Sequence, residues 1–362
     1  MPKRLSLLLL IGLFLPFANK PIHIDDANFL AMAKQAAESP WRPHDFLINW
    51  SGTTESAFTV LSNPPGIALW LAPVSHQPVF WMHLWMLPWL VLAVWGAGRL
   101  GARIAGRPAA AILLIVGAPI SMIATSALTP DLPLLALSLA GMGALIDSDK
   151  PFDRRTGGAL MLGLTVWFRY SGIALLPLAF LWPWMHGDRR AAVRLGAVAL
   201  APLAVLMIHD ILAYDAVHLV SMISFQSTAN TPQELIHKGV ATLAALGGVA
   251  ALPFLALHRP KRFAMGAAIG AAVGIGAATT FGQTGTPLLA TVIFSAAGGA
   301  SLGGAAKLVD NTDRLLWTWL GIGLLFLATL RFSASRYLIP FFAPALLLSL
   351  RGARPALIRV SA

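Results

Sequence analysis

The chain has 362 residues, 57% of them hydrophobic and only 11% charged, with a mean hydropathy of +0.72 and a formal net charge of +11. So little polar surface excludes a soluble globular domain, which would present far too much apolar area to water. The absence of cysteine excludes a disulfide framework and thiolate metal sites.

Apolar runs long enough to span a bilayer recur along the whole chain and predict an all-α polytopic membrane protein with about twelve transmembrane helices. The expected spans are 5–19, 78–98, 109–125, 130–147, a short pair at 158–168 and 172–184, then 194–212, 237–257, 263–281, 286–306, 314–330 and 337–350. Lys3 and Arg4 open the chain as they would a signal peptide. LPFANK, however, offers no small-x-small cleavage site, so the first run reads as an uncleaved span.

Residues 20–77 form the largest polar segment, expected as an extracytoplasmic loop. Within it, Asp25 and Asp26 open DDANFLAMAKQAAE, which has helix-forming composition with Phe29, Leu30, Ala33 and Ala37 on one face. A helix lying along the outer membrane surface is predicted, with Asp25 or Asp26 capping its start. Trp41, Trp50 and Trp70 suit the membrane interface. His23, His44, His76 and His83 lack metal-ligand spacing and read as solvated or interfacial.

Farther on, Asp131 lies in SALTPDLPLLAL and Arg169 interrupts TVWFRYSGIALLP. Residues 214–238 form a second external segment, containing His218 and Glu234. Gly266, Gly270 and Gly274 recur at four-residue spacing, which allows close helix packing. Arg336 and Tyr337 open the last span in SASRYLIPFF, after which no soluble C-terminal domain is expected; residues 1–362 read as one integral-membrane domain.

Most of the 26 lysines and arginines, among them Lys3, Arg4, Arg99, Arg103, Arg189, Arg190 and Arg262, fall in connections on one side of these spans. That asymmetry predicts cytoplasmic termini and makes the basic excess a matter of topology, not a nucleic-acid footprint.

Polar groups at the mouths of apolar spans carry the chemical information, because each is costly unless it has a partner or a wet cavity. Asp25, Asp26, Asp131, Arg169 and Arg336 gather toward the outer side, and carboxylates facing guanidinium groups there would bind an anion and move a proton. The plain alternatives are helix capping for the three aspartates, snorkelling for Arg336 and an interfacial anchor for Tyr337. Arg169 is the hardest to read structurally, since its apolar hairpin is too short for two comfortable crossings.

In order and content, these segments resemble the GT-C superfamily of polytopic glycosyltransferases, in the branch of protein O-mannosyltransferases and the lipid A aminoarabinose transferase. IDDANFLAMAKQ follows the first span; SNPPGIALWLAP, ALTPDLPLLALSL, FRYSGIALLPL and SRYLIPFFAPALL follow in turn. Asn63 stands where relatives often carry His before the two prolines, and Pro130 interrupts their Thr-Asp pattern.

The resemblance implies a GT-C-like fold in a bacterial inner membrane, with the site facing the periplasm. It implies inverting transfer of a sugar from a polyprenyl-phosphate carrier to a lipid, glycan or protein acceptor. Asp25 is then the general base, with Asp26 beside it; Arg169, Arg336 and Tyr337 hold the donor phosphate; Asp131 supports them. A divalent cation, Mg or Mn, on Asp26 or Asp131 is left open. The partners implied are the polyprenyl-linked sugar and membrane lipids, and no nucleic acid. The alternative from another class is a secondary transporter of a polar or anionic small molecule, which should carry its polar groups near the bilayer midplane.

Overall fold

A computed structural model describes residues 3–49, 52–147, 152–227, 231–250, 259–305, 309–330 and 334–353; Trp50 lies outside them. Helices form in each of the expected apolar segments. After α1 (Lys3–Phe14) the chain enters α2 (Asp26–Glu38), a two-stranded antiparallel ribbon of β1 (Leu47–Asn49) and β2 (Thr54–Ser56), and the short α3 (Gly66–Leu71). The ribbon pairs Leu47 with Ser56 and Asn49 with Thr54.

Next come α4 (Val79–Ala105) and the pair α5 (Pro108–Val116) and α6 (Pro119–Thr125), bent by 69° where Pro119 restarts the helix. They lead into α7 (Asp131–Leu145), α8 (Phe152–Phe168), α9 (Tyr170–Met185) and α10 (Arg189–Tyr214). The remainder is α11 (His218–Ser227), α12 (Pro232–Ala245), α13 (Pro260–Thr280), α14 (Gly285–Ala305), α15 (Asn311–Thr329) and α16 (Ala343–Gly352).

Four described helices, α4, α10, α13 and α14, are long and apolar enough to cross a bilayer, and the bent α5–α6 pair makes a fifth if it is one span. They make this an integral membrane protein. The expected count of about twelve full spans is not reached on this measure. The 15 residues of α7, for example, rise only about 22 Å, with a polar cavity at one end of the helix and a buried ion pair just beyond the other.

α7 is apolar on every face, and all of its residues are buried. It packs against α4 and α8, with Gly96 set on the backbone of Leu139 and Ala140, where a β-carbon has no room. The four-residue glycine repeat of α13 does what its spacing predicts: Gly266 sits on the Gly299 carbonyl and Gly270 on that of Ser295 in α14. α16 is buried from Ala343 through Leu350, and Arg107 donates to the Leu350 and Ala353 carbonyls at 2.8 and 2.7 Å, satisfying its end.

Helix α2 buries Phe29, Leu30, Met32, Ala33 and Ala36 and leaves Ala37 exposed. It packs on α3. Its apolar face thus meets protein, one step around the helix from the face predicted.

Candidate functional site

The turn before α2 sends two neighbouring carboxylates to different partners. Ile24 adopts φ 45°, a left-handed conformation rare for a β-branched residue. The Asp25 carbonyl accepts from the Asn28 and Phe29 amides at 3.0 and 3.3 Å, but its side chain makes no capping bond. That carboxylate pairs with Arg336 instead.

Asp26 is 1% exposed. One carboxylate oxygen accepts from the His23 amide at 3.2 Å and the other from the Leu128 amide at 3.1 Å. Burial pushes its pKa up against the pull of those two amides. With both oxygens taken by backbone, Asp26 ties the head of α2 to the segment before α7. The two neighbouring carboxylates thus take different partners, Asp26 the His23 and Leu128 amides and Asp25 the Arg336 guanidinium.

At the other wall, α8 stops at Phe168 and Arg169 is extended, with φ −159° and ψ 136°. The following corner brings Gly172 against Thr165 with no space for a side chain. Arg169 then reaches Asp131 on the first turn of α7, and the pair is nearly dry, with side chains 12% and 4% exposed. The Thr129 hydroxyl donates to the same carboxylate at 3.3 Å. Tyr337 presents its ring 4.3 Å from the Arg169 guanidinium and 5.8 Å from that of Arg336. Burial works against the charge of Arg336, but the carboxylates of Asp131 and Asp25 outweigh it and raise its pKa.

Asp25, Asp131, Arg169, Arg336 and Tyr337 line one cavity of about 550 Å³. Asn28, Phe29 and Met32 of α2 and residues 59–63 complete its walls, together with Glu55 on β2. A second cavity of about 350 Å³ shares Ser62, Asn63, Arg169, Met222 and Tyr337 with the first. Its remaining wall is largely apolar, formed by Ile173, Leu219, Ile223, Phe326 and Leu330 among others. Charged groups therefore stand where a polar chamber meets an apolar one.

The cavity wall at 59–63 is held by histidines whose role was not legible in the sequence. His44 and His83, expected as solvated or interfacial, are 2% and 0% exposed. His44 Nε2 donates to the Asn63 carbonyl at 3.0 Å, and His218 Nε2 to the Leu61 carbonyl at 2.8 Å. Because Nε2 of His218 must donate to a carbonyl, its Nδ1 accepts from the Tyr170 hydroxyl at 2.6 Å, which fits a neutral ring. Burial pushes the pKa of His44 down to about 3 and lowers that of His218. His209 Nε2 donates to the Trp41 carbonyl at 2.9 Å, tying the start of the same loop to α10. No local pattern joins His44, His209 and His218; only the tertiary fold brings them together.

Among the described residues, no three His, Asp or Glu side chains group so as to hold a metal ion. Asp26 and Asp131, left open as holders of a divalent cation, are engaged by backbone amides and by Arg169 with Thr129, so these two carboxylates are not arranged as a cation site.

No protein-family model matches the chain. No curated protein matches it in sequence. Among solved structures it is similar to ArnT from Cupriavidus metallidurans bound to undecaprenyl phosphate, with a TM-score of 0.52 and 17% identity over 97% of this chain and 78% of that one. The apo state of the same ArnT gives a TM-score of 0.50 and 16% identity over 97% and 77%. Likeness at this identity concerns the fold alone: the chain shares the fold of ArnT, in keeping with the resemblance carried by its motif order.

Proposed function

We propose that the protein is a membrane glycosyltransferase that moves a sugar from a polyprenyl-phosphate carrier to an acceptor at the outer membrane face, with inversion at the anomeric carbon. One observation carries the reading: Arg169 and Tyr337 belong at once to a polar cavity rimmed by carboxylates and to an apolar one beside it. A lipid phosphate sugar has the same composition, with an isoprenoid chain, a charged phosphate and a polar sugar in sequence. The ArnT fold, found in one case with undecaprenyl phosphate, supports the same carrier.

In this reading the first isoprene units occupy the apolar cavity, the phosphate meets Arg169 and Arg336, and the sugar extends toward Asp25. Both guanidinium groups already have carboxylate partners, so binding the phosphate is an exchange. The Arg169–Asp131 pair is buried and stays in place, while Arg336 and Asp25, at 37% and 26% exposure, are the more accessible pair. Recruiting Arg336 to the phosphate releases the Asp25 carboxylate to take the acceptor hydroxyl's proton as that oxygen attacks the anomeric carbon. The C–O bond to the phosphate breaks, and its oxygen departs with the electron pair, stabilised by both arginines. Asp26 acts in this scheme by fixing the turn that carries Asp25.

The test is transfer of a labelled sugar from a synthetic polyprenyl-phosphate donor by the purified protein in lipid nanodiscs, followed by the stereochemistry of the product. Product of inverted configuration is expected. Carrier-independent uptake of a small anion into proteoliposomes, with no transfer, would replace the reading by a transporter.

A further inference from the structure

The helix that begins at the cavity, α7, ends at a second charged site. Beyond its last turn Asp147 is 1% exposed, and its two oxygens receive Arg99 and Arg103 from α4. Arg99 is locked further by donating to the Gly143 carbonyl at 2.9 Å. Beside this pair lies a recess of about 480 Å³, lined by Arg4 of α1, Arg99, Arg103 and Asp147, with Leu7, Val91, Val94 and Ile112 as apolar wall. Trp95 also lines the recess, and its ring lies 5.4 Å from the Arg99 guanidinium. From α8, Arg154 is close enough to act electrostatically on Arg99.

We propose that this recess binds the phosphate headgroup of an acidic membrane phospholipid, at the membrane face opposite the cavity. Among the described residues, Arg4, Arg99 and Arg103 line it together with the Asp147 carboxylate, so guanidinium groups gather in one recess. Arg99 is committed to Asp147 and Gly143 and serves as the fixed floor. Arg4 and Arg103 are the groups placed to meet an incoming anion, Arg103 being 42% exposed even while it touches Asp147. Guanidinium groups suit a phosphate through paired N–H donors, and the apolar wall suits the start of an acyl chain. A tryptophan at the level of the charges fits the headgroup region. Arginines that serve orientation alone need no shared recess; Arg189 and Arg190 are exposed at the start of α10, with Arg189 beside the Trp184 ring. This site does not depend on the activity proposed above.

Two sources of phosphate are separated by direct binding measurements on the full-length protein. Native mass spectrometry and nanodisc titration would compare phosphatidylglycerol, phosphatidylcholine and inorganic phosphate. The double variant Arg4→Gln/Arg103→Gln leaves Arg99 on Asp147, and Arg189→Gln/Arg190→Gln removes the same charge elsewhere. Preferential retention of phosphatidylglycerol is expected, weakened roughly tenfold or more by the first double variant and little by the second. Equal weakening by both would reduce the effect to general surface attraction and overturn the proposal. So would equal retention of phosphatidylcholine, or inorganic phosphate binding at the same recess as tightly as the lipid. If the first double variant does not fold, the single Arg4→Gln at an exposed position gives the same comparison against Arg190→Gln.

Discussion

The guanidinium of Arg169 stands 4.3 Å from the ring of Tyr337, joining the corner after α8 to the turn before α16 in a wall common to two cavities. The same guanidinium pairs with Asp131 at the head of α7. Three elements far apart in the chain thus meet at one cation. Its removal has two separable consequences, one for folding and one for ligand binding.

Arg169→Ala should destabilise the protein by about 3–5 kcal/mol, because it strands the buried Asp131 carboxylate. The companion variant Asp131→Asn/Arg169→Gln should recover much of the thermal stability, since it leaves no unpaired buried charge. Under the proposed function neither variant should bind polyprenyl phosphate as the parent does, and Arg169→Lys should bind it only weakly, as a point charge cannot reproduce the paired guanidinium contacts. Parental lipid affinity in the stable double variant would make Arg169 a structural group.

Asp26→Ala should cost about 1–3 kcal/mol of stability by leaving the His23 and Leu128 amides without their acceptor. Asp26→Asn keeps one carbonyl acceptor and should fall between the two. Transfer per correctly folded molecule should remain near the parent's in the Asn variant. A collapse of turnover with unchanged melting would return Asp26 to the chemistry.

The loop wall should be sensitive to acid. His44 has its pKa lowered from 6.5 to about 3 by burial. Its stabilising contribution is therefore complete above pH 6.5 and is lost as pH falls toward 3, with a slope approaching about 1.4 kcal/mol per unit. His218 shifts in the same direction, restrained by Asp210. Around His44 stand Phe58, Tyr214, His209 and His218. Hydrogen exchange or limited proteolysis across residues 41–63 should increase on acidification, and His44→Gln, which can still donate to the Asn63 carbonyl, should blunt that increase. An identical acid response in His44→Gln would remove His44 as its source.

Much of the site was legible because membrane burial makes isolated polar groups conspicuous. Asp25, Asp131, Arg169, Arg336 and Tyr337 each interrupt or border an apolar run, and all five line the cavity. What could not be read was direction. Asp25 and Asp26 are neighbours with equal claim to the chemistry, and only the path of the turn sends one to Arg336 and the other to the Leu128 amide. His44 and His218 look like ordinary loop histidines until the fold brings the loop after α2 and the start of α11 under residues 61–63. Helix locations followed from composition, whereas full crossing did not, because α7 and α9 are apolar yet short.

Orientation can be tested separately from catalysis, since the chain has no cysteine. Thr53 beside the ribbon and Arg190 at the start of α10 are both exposed. Thr53→Cys should react with an impermeant thiol reagent in intact cells, and Arg190→Cys only after permeabilisation, if the basic end faces the cytoplasm. The reverse pattern would invert the protein and place the cavity on the inner face.

The substitution that bears most directly on the proposed chemistry is Asp25→Asn. The Asp25 side chain caps nothing in the structure, so loss of a helix cap is not a competing explanation for its effect. The amide preserves shape, and because the Asp25–Arg336 pair is partly exposed, at 26% and 37%, its loss should be worth only about 1 kcal/mol in stability. An amide, however, cannot take a proton from an acceptor hydroxyl. Sugar transfer should therefore fall by about two orders of magnitude or more, the range expected for a lost general base, while polyprenyl-phosphate binding stays close to parental because Arg169 is untouched and Arg336 no longer has to leave a carboxylate. Asp25→Glu, with the base displaced by one methylene, should retain more activity than Asn. Near-parental turnover in Asp25→Asn, measured with saturating donor and acceptor, would take Asp25 out of the mechanism and turn attention to Glu55, the third carboxylate on the cavity wall.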